Sequence, residues 1–359
     1  MPPPQDADLF AQQEHNIQRS RWLAAGFVLF FAWVGFGGDI AFGLMTLESP
    51  PEAYHHTIPL IGLITTVVAG GICWHAWVRG AERVLWSTGA WEIIEPANEE
   101  QQRLVNVVEE MAIAAGLPKP RVHIVVDDDP NAFATGRDPA TASIAVTTGL
   151  LEKLTRDELQ GVVAHEMAHI RNFDTRLMTL LAAMVGAILL MSDGMKRVMR
   201  GSSRGFGGSS ARRLGGGIGG GRGGGKGGAG ALGLVVLVLW LLTLIVAPLI
   251  SRILAMSVSR RREYLADATA AQLTRNPMGL ANALGKLHGA HGATHRIASG
   301  AAHLCIVDPL ERRLSDNDGF LGDLFASHPP MRERIARLEA MGYQQLKREG
   351  KFPQVAAEL

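Results

Sequence analysis

The sequence predicts an α+β fold that is mostly helical, contains a small β-sheet and is joined to transmembrane helices. Apolar runs long enough to cross a bilayer stand before residue 80, and helical spacing of apolar residues dominates the rest of the chain. Only short stretches between residues 121 and 149 are rich in β-branched residues. With 359 residues and 47% hydrophobic positions, the chain can bury a sizeable core and is expected to contain more than one unit.

Charge and cysteine content argue against two classes of protein. The formal net charge of +1 gives no reason to expect nucleic acid as a partner. The two cysteines, Cys73 in an apolar run and Cys305 far from it, do not form a disulfide framework. The part of the chain that carries Cys305 therefore fits a reducing compartment.

Residues 1–90 are predicted to form a membrane hairpin. The apolar stretches at 22–47 and 58–78 each exceed the length of about 20 residues that a span requires. The link between them has no Lys or Arg, whereas two arginines precede the pair and two follow it. The positive-inside rule places both flanks in the cytoplasm, and Asp39 then lies near the outer interface. We therefore expect a multi-pass protein of the cell (inner) membrane, in contact with membrane lipid.

Residues 91–359 are predicted to form a second domain, interrupted by an apolar hairpin at 177–250. The runs 177–191 and 231–250 of this hairpin are separated by a flexible loop at 200–230 that is rich in Gly and Arg. If both runs crossed the membrane, the basic loop would lie outside, against the charge rule. We expect the hairpin to stay at the cytoplasmic face, with the loop near anionic headgroups.

The segment after residue 83 shows the pattern of a compact α+β unit. Apolar spacing over 98–118, with Gly and Pro as stop signals, predicts a helix. The segments 121–126 and 142–149 are predicted to be strands because of their β-branched content. Thr155 and Glu158 have the spacing of a capping box, which predicts the start of a helix that continues through the motif HEMAH.

The motif HEMAH provides two imidazoles and one carboxylate on a single helix. His165 and His169 are four residues apart, lie on one helical face and can hold one ion. Neutral imidazole nitrogens are suitable ligands for Zn²⁺. Glu166 is placed beside the metal rather than on it, where it can take a proton from the attacking water. Because such a motif arises by chance in roughly one comparable sequence in fifty, the metal interpretation depends on a third ligand.

Candidate third ligands lie downstream of the motif. Thr175 stands where a third histidine of an extended motif would be, so that version is absent. Glu263 and Asp267 are four apart on a helical pattern; Glu263 can complete a His₂Glu site, and Asp267 can accept from a ligand imidazole and fix its tautomer. The alternative for this pair is a solvated helix face beside three arginines. Asp174, five residues after His169, is expected to point away from the ligand face.

Four segments in this order resemble HtpX-type membrane-bound zinc metalloproteases, which are related to the CaaX prenyl proteases and the Oma-type peptidases: NAFATG, VVAHEMAHIRNFDT, REYLADATAA and HPPMRERI. The resemblance covers most of the chain and implies a zincin-like (gluzincin) metalloprotease domain. It implies one zinc ion held by His165, His169 and Glu263, with Glu166 as the catalytic base. It also implies an integral membrane endopeptidase with a cytoplasmic catalytic domain, which trims damaged or misassembled membrane proteins.

The resemblance assigns roles to two residues near the carboxyl end. His328 matches the family's His-Pro motif and is expected to be catalytic, as a second donor to the oxyanion. The alternative is a loop imidazole that precedes a helix opened by Pro329 and Pro330. Arg334 is expected to hold the local structure around the site.

The resemblance also indicates where a polypeptide substrate would bind. Asn131, Ala132, Phe133 and Ala134 resemble the family's edge strand, which would bind an extended peptide by main-chain pairing. That mode tolerates many side chains, as a quality-control protease requires. The alternative is a plain buried strand without contact to substrate.

Three competing functions are compatible with parts of the pattern. An intramembrane protease carries its motif within a span, but Arg171, Asp174 and Arg176 follow HEMAH directly. A CaaX-prenyl-type processing protease has more spanning helices than the four apolar runs here. A non-catalytic membrane scaffold stabilised by zinc would close its site with four protein ligands, whereas the sequence offers three good ones.

Overall fold

A computed structural model of the chain describes residues 9–46, 57–182, 184, 260–290, 304–307 and 329–349. By packing, the chain divides into two compact units, one formed by 1–23, 75–183 and 252–359, the other by 24–74 and 184–251. The predicted division at residue 90 stays a prediction. The predicted apolar hairpin at 177–250 lies outside the described residues except for 177–182 and 184.

The first unit contains a mixed four-stranded sheet. Its strands are β1 (Trp91–Glu92), β2 (Arg121–Val125), β3 (Ala132–Thr135) and β4 (Ser143–Thr147), in the order β1-β2-β4-β3. β2 and β4 are parallel, and the two outer strands are antiparallel to their neighbours. Every residue of β4 is buried, which explains why its sequence SIAVT does not alternate between apolar and charged residues. β3 forms one edge of this sheet.

Helices α3 (Glu99–Ala115) and α5 (Arg156–Arg171) begin where the sequence predicts, and α3 also ends at its predicted stop signal. The Asn98 side chain caps α3, and Gly116 ends it in the left-handed region at φ 67°, where glycine has no steric penalty. Thr155 and Glu158 form the predicted capping box at the start of α5. The short helix α4 (Thr148–Lys153) follows β4 directly, so the predicted second strand, 142–149, ends two residues too late, and it also begins one residue too early.

Three later helices pack against α5 or against each other: α6 (Arg260–Thr274), α7 (Pro277–His288) and α8 (Met331–Arg348). α6 and α7 both contact α5, and α8 contacts α7 and α6. A Cβ atom at Gly161 would lie 2.7 Å from the backbone nitrogen of Leu280. The absence of a side chain there lets the backbone of α7 reach α5, which holds the HEMAH helix firmly in the core.

Helices α1 (Leu9–Thr46) and α2 (Leu60–Ser87) contain the predicted spans. Both are long and apolar enough to cross a membrane, over Gln13–Leu44 and Leu60–Ser87. Both helices extend beyond the predicted spans on the side where arginines flank the pair. Their large apolar side chains are strongly exposed, including Trp33, Val67 and Trp74 at 54%, 73% and 71%. Exposed apolar surface of this kind is typical of membrane contact.

Asp39 is a buried carboxylate within the second unit. It accepts hydrogen bonds from the backbone N–H groups of Gly62 at 2.6 Å and Ile61 at 3.2 Å. These N–H groups belong to the first turn of α2, where helical donors have no partner within the helix. The negative charge is therefore compensated by the amino-terminal end of α2.

Candidate metal centre

Helix α5 brings three polar side chains of HEMAH into the core of the first unit. The Nε2 atoms of His165 and His169 lie 3.1 Å apart, and the two rings are nearly perpendicular at 89°. His165 and Glu166 are 1% and 2% exposed. Imidazole and carboxylate groups are costly at this depth unless they are paired or hold an ion.

Glu263 reaches the same point from α6. Its Oε2 atom lies 3.6 Å from Nε2 of His165, and its Oε1 atom lies 3.6 Å from Nε2 of His169. Ala266 and Ala270 lie on the same face of α6 and are fully buried. Their small side chains let α6 approach α5 closely enough for the carboxylate to meet both imidazoles.

The spacing of these three groups fits one divalent ion. Two nitrogens bound to a tetrahedral zinc ion at about 2.0–2.1 Å lie about 3.3 Å apart. The observed separations of 3.1, 3.6 and 3.6 Å bracket that value, and potential ligand atoms of His165, His169 and Glu263 all lie within 4.8 Å of one another. Two imidazoles and a carboxylate are also the donor types that zinc prefers in hydrolytic sites.

The buried charges and the cavity beside His165, His169 and Glu263 are also compatible with a bound divalent ion. Six buried charged side chains surround the two rings, namely Glu166, Asp174, Glu263, Asp267, Arg262 and Arg334. Four carboxylates against two guanidinium groups leave an excess of two negative charges, which equals the charge of a divalent cation. The adjoining cavity of about 20 Å³ has room for one water molecule.

Asp267 contacts the His165 ring at Nδ1, and Arg334 holds the Asp267 carboxylate in place and also lies 3.4 Å from Nε2 of His165. Nδ1 of His165 lies 3.0 Å from Oδ1 of Asp267, so the imidazole can present Nε2 to an ion. Arg334 is completely buried and donates to both carboxylate oxygens of Asp267, from Nε at 2.9 Å and from Nη2 at 2.7 Å. Its Nη1 atom also lies 3.4 Å from Glu263.

Asp174 holds the His169 ring in the same way, and the prediction that it points away from the ligand face is wrong. Oδ2 of Asp174 lies 3.1 Å from Nδ1 of His169. The physical reason is that α5 ends at Arg171 and Phe173 takes a positive φ of 58°, so helical spacing no longer applies at position 174. This turn swings the carboxylate back towards the ring.

Asn16 and Arg262 are two residues around the centre that sequence reasoning missed. The Asn16 amide, on α1, donates to Oδ1 of Asp174 at 2.8 Å and to the carbonyl oxygen of Asn172 at 2.9 Å. Arg262 lies 3.7 Å from Asp174 and lines the cavity. Asn16 belongs to no motif, and only its position before the first apolar run was visible. Arg262 stands beside Glu263, so helical neighbourhood alone could have suggested it.

The buried charges also set the proton affinity of the site. Burial lowers the pKa of His165, but its contacts with Asp267 and Glu263 outweigh this and raise it to about 9. Burial raises the pKa of Asp267, but Arg334 and His165 lower it to about 2. Burial raises the pKa of Glu166. A cation replaces the proton on the ligand imidazole when it binds, and a carboxylate with a raised pKa is well suited to accept and return a proton.

The edge strand β3 runs beside this centre. Its residues Ala132 to Thr135 pair with β4 on one side. On the other side the backbone N–H of Ile306 donates to the carbonyl oxygen of Ala132 at 2.9 Å, and Phe133 and Cys305 are antiparallel partners. Residues 304–307 thus cover the outer edge of β3. His328, the predicted catalytic histidine, lies outside the described residues.

Comparison with known proteins identifies the family. The model of peptidase family M48 matches residues 98–342, which include HEMAH, Glu263 and Arg334. The "Protease HtpX homolog" of Thermoanaerobacter pseudethanolicus is 45% identical over 270 residues, which cover 75% of this chain and 80% of that protein. The protein of the same name from Streptococcus gordonii is 36% identical over 334 residues, or 93% of this chain and 100% of that protein.

Among solved structures, the crystal structure of S. mikatae Ste24p is similar with a TM-score of 0.42 and 17% identity. The structural match covers 89% of this chain and 66% of the Ste24p chain. The family match includes His165, His169 and Glu263, and the similarity to the two homologues covers 75% and 93% of the chain. The chain therefore belongs to peptidase family M48, and within that family its similarity is to the HtpX-type proteases.

Proposed function

We propose that this protein is a zinc-dependent membrane endopeptidase that hydrolyses peptide bonds of misfolded or damaged membrane proteins. The observation that carries the proposal is the convergence of His165, His169 and Glu263 on one point, with Glu166 beside it. Among the described residues only three such ligands converge, which leaves a fourth position for water, as in catalytic rather than structural zinc sites. This favours an enzyme over a scaffold.

The residues of the chain have distinct roles in this mechanism. His165, His169 and Glu263 would hold zinc, which when bound polarises a carbonyl group and lowers the pKa of water. Glu166 takes the proton from the attacking water and returns a proton to the leaving amine. Asp267 keeps Nδ1 of the His165 ring occupied, so that Nε2 faces the ion. Each of these groups is fixed by packing before substrate arrives, which reduces the cost of reorganisation.

His328 is proposed as the second donor to the oxyanion. It directly precedes Pro329 and Pro330, the residues that lead into α8. Arg334 on the first two turns of α8 reaches Asp267 and lies close to His165. The position of His328 six residues before Arg334 in sequence supports this proposal.

The outer edge of β3 is proposed as the substrate-binding edge. Along β3, successive residues direct their N–H and C=O groups alternately towards β4 and away from it. The main-chain groups of Ala132 and Ala134 are those that point away from β4. Asn131 and Phe133 complete the strand that an extended peptide would follow. Main-chain pairing selects for unfolded, extended segments rather than for a particular side chain, which suits damaged proteins as substrates.

The proposed location is the cell inner membrane, with several spans and a cytoplasmic catalytic domain. Two described helices are long and apolar enough to cross, and arginines flank both on the same side. α5 is not among these candidate spans, and charged residues follow HEMAH directly. This favours a site in the aqueous part of the protein over an intramembrane protease.

The test compares the full-length parent with Glu166→Gln in detergent, with casein as substrate. We expect hydrolysis to fall by at least about a hundredfold, because a general base contributes about 10²–10⁴ to the rate. Zinc content, measured by elemental analysis, should be unchanged because Glu166 is not a ligand. Glu152→Gln, an exposed carboxylate on α4, is the matched control and should retain full activity. Equal rates for the parent and Glu166→Gln would overturn the proposal, as would an active parent without divalent metal.

A further inference from the structure

A second cavity in the first unit shares no lining residue with the metal centre. It has a volume of about 140 Å³ and lies beside α2 where the predicted span 58–78 ends. Three arginines from different parts of the chain line it: Arg121 on β2, Arg137 after β3 and Arg176 after α5. Trp77 and Glu82 of α2 also line it, as do Thr141 and Thr179.

Arg176 is the unusual member of this cluster. Its guanidinium carbon lies 4.2 Å above the ring of Trp77, and its buried Nε atom has no hydrogen-bond partner among the described residues. Burial, followed by the positive charges of Arg21 and Arg137, lowers its pKa. A partly buried guanidinium that lies among like charges is stabilised when an anion joins it.

The charge balance of the cavity points to the chemistry of that anion. Among the described residues, neither Arg121 nor Arg176 has a carboxylate at ion-pair distance, and Arg137 is engaged by Asp138 at 3.1 Å. Three guanidinium groups therefore stand against two carboxylates, that of Glu82 in the lining and that of Asp138 beside Arg137, which leaves an excess of positive charge. Guanidinium groups bind phosphate oxygens through paired, charge-assisted hydrogen bonds.

The position along α2 indicates the source of the phosphate. The lining residues of α2, from Ala76 to Glu82, lie at the end of the predicted span and just beyond it, on its positively flanked side, at the depth of lipid headgroups. Trp77 is of the type that membrane proteins place at this interface. We propose that Arg121, Arg137 and Arg176, with Trp77, form a binding site for the phosphate of an anionic phospholipid.

The experiment titrates phosphatidylglycerol into the full-length protein in phosphatidylcholine nanodiscs and counts bound anionic lipid by native mass spectrometry. Arg176→Gln should weaken the apparent affinity about tenfold, the effect of losing one strong charge-assisted contact. Arg137→Gln, in which a half-exposed side chain is changed, should act in the same direction without disturbing the core. The matched control is Arg83→Gln, an exposed arginine on the same helix that does not line the cavity, and it should stay within about twofold.

Two results would overturn this site. Equal losses in Arg176→Gln and Arg83→Gln would show attraction by general charge rather than by a built cavity. Inorganic phosphate that displaced phosphatidylglycerol at equal concentration would show that the lipid itself is not recognised. Neither result depends on hydrolysis, so this site and the proposed protease function are tested separately.

A second inference concerns residues 304–307, which cover the outer edge of β3. Besides the bond from Ile306 to Ala132, the Asn131 amide donates to the carbonyl oxygen of Val307 at 2.8 Å. Arg334 donates from Nη1 to the carbonyl oxygen of Ile306 at 3.3 Å. The segment is therefore held through its main chain, as an extended peptide would be.

The same segment also closes the metal centre. Leu304, Cys305 and Ile306 line the cavity together with His165 and Glu166, and that cavity has room for one water molecule but not for a peptide. If β3 is the substrate edge, as the proposed function requires, substrate and segment compete for the same backbone groups. We infer that residues 304–307 act as an autoinhibitory strand that must leave β3 before a peptide can bind.

This device has a defined kinetic consequence. When only a fraction of molecules has β3 free, the apparent affinity for substrate falls by that fraction, while the chemical step of the bound complex is unchanged. Release of the segment should therefore lower KM and leave kcat nearly constant. A segment that is simply a permanent fifth strand would give the opposite result, because its loss would damage the sheet.

The first test measures hydrolysis of a fluorogenic, unstructured peptide by the parent, Ile306→Pro and Ile306→Val. Proline removes the N–H that bonds to Ala132, whereas valine keeps it. KM should fall at least about threefold in Ile306→Pro, with kcat and zinc content near the parent values, and should not change in Ile306→Val. An unchanged or higher KM in Ile306→Pro at full zinc content would overturn the inference. An inactive parent would instead refute the proposed function.

A second measurement covers the case in which Ile306→Pro does not fold. Hydrogen exchange of the Ile306 amide is followed in Glu166→Gln while the same peptide is added to saturation. Exchange at Ile306 should accelerate as the peptide displaces the segment. Unchanged protection at saturation would overturn the inference.

Discussion

Arg334 donates two hydrogen bonds to the Asp267 carboxylate, at 2.9 and 2.7 Å, and Oδ1 of Asp267 lies 3.0 Å from Nδ1 of His165. This chain of contacts runs from α8 through α6 to α5. It ties the carboxyl-terminal helix to the first of the two histidines. The proposed zinc site is thus supported by a residue 169 positions away in sequence.

Arg334→Met should weaken both the fold and the metal site. It leaves the Asp267 carboxylate buried without its cation, which costs about 3–5 kcal/mol, and it frees the His165 ring, which lowers zinc affinity about 10–100-fold. Chemical unfolding and competition with a zinc chelator would measure the two effects. Arg332→Met, an exposed arginine two residues earlier on α8, should change stability by less than about 0.5 kcal/mol. Equal zinc affinity in Arg334→Met and the parent would contradict this prediction.

Asn16→Leu should lower zinc affinity, although position 16 lies in no recognised motif. The substitution removes two hydrogen bonds, to Asp174 and to the Asn172 carbonyl oxygen, and loosens the carboxylate that orients His169. We expect a loss of zinc affinity of about tenfold. Gln18→Leu, which removes only a surface contact with Glu14, is the control. Equal behaviour of the two variants in chelator competition would disprove the role of Asn16.

Gly161→Ala should destabilise the protein, against the usual preference of helices for alanine. The new Cβ would lie 2.7 and 2.8 Å from backbone atoms of Leu280, so α7 must move away from α5. We expect a loss of about 1–3 kcal/mol from overpacking. Gly285→Ala on α7 meets nothing within 4 Å and should instead gain about 0.5–1 kcal/mol. Thermal unfolding of both variants tests the pair, and a stabilised Gly161→Ala would refute the close contact.

Glu158→Ala should lose stability in a manner that depends on pH. Burial raises the pKa of Glu158, but the contacts with Lys286 and Thr155 outweigh it and lower the pKa below 4.5. Because the folded pKa is depressed, the stabilisation is present above pH 4.5 and is lost as the pH falls through the folded pKa. At pH 7 we expect a difference of about 1–2 kcal/mol between parent and variant, mainly from the lost cap.

The control for this prediction is Glu152→Ala, an exposed carboxylate on the neighbouring helix α4. Its effect on the free energy of unfolding at pH 7 should be small. If the difference between the parent and Glu158→Ala were constant between pH 7 and pH 3, the carboxylate charge of Glu158 would have no part in the stabilisation.

The features that the sequence predicts well are those set by local spacing. The strands β2 and β4, the helix with its buried face at Leu104 and Met111, and the capping box at Thr155 are confirmed within one or two residues. Helical periodicity also predicts that His165 and His169 share a face, and the structure brings Glu263 to them.

The features that could not be predicted depend on chain reversal and on contacts between distant segments. Asp174 lies on the ligand side because Phe173 takes a positive φ, and helical spacing cannot foresee such a turn. Asn16 meets Asp174 only after α1 and the turn beyond α5 have packed. The cover of β3 by residues 304–307 likewise has no signal in either segment alone.

The imidazoles and the carboxylate of the proposed zinc site lie on α5 and α6, and residues 172–259 separate them in the chain. A ribosome that has just released α5 therefore holds a polypeptide with two imidazoles and nothing to complete the set. Under the proposed function, the zinc site therefore cannot be complete before translation has passed this long intervening stretch. The growing polypeptide would carry only part of its proposed ligand set until α6 has been made.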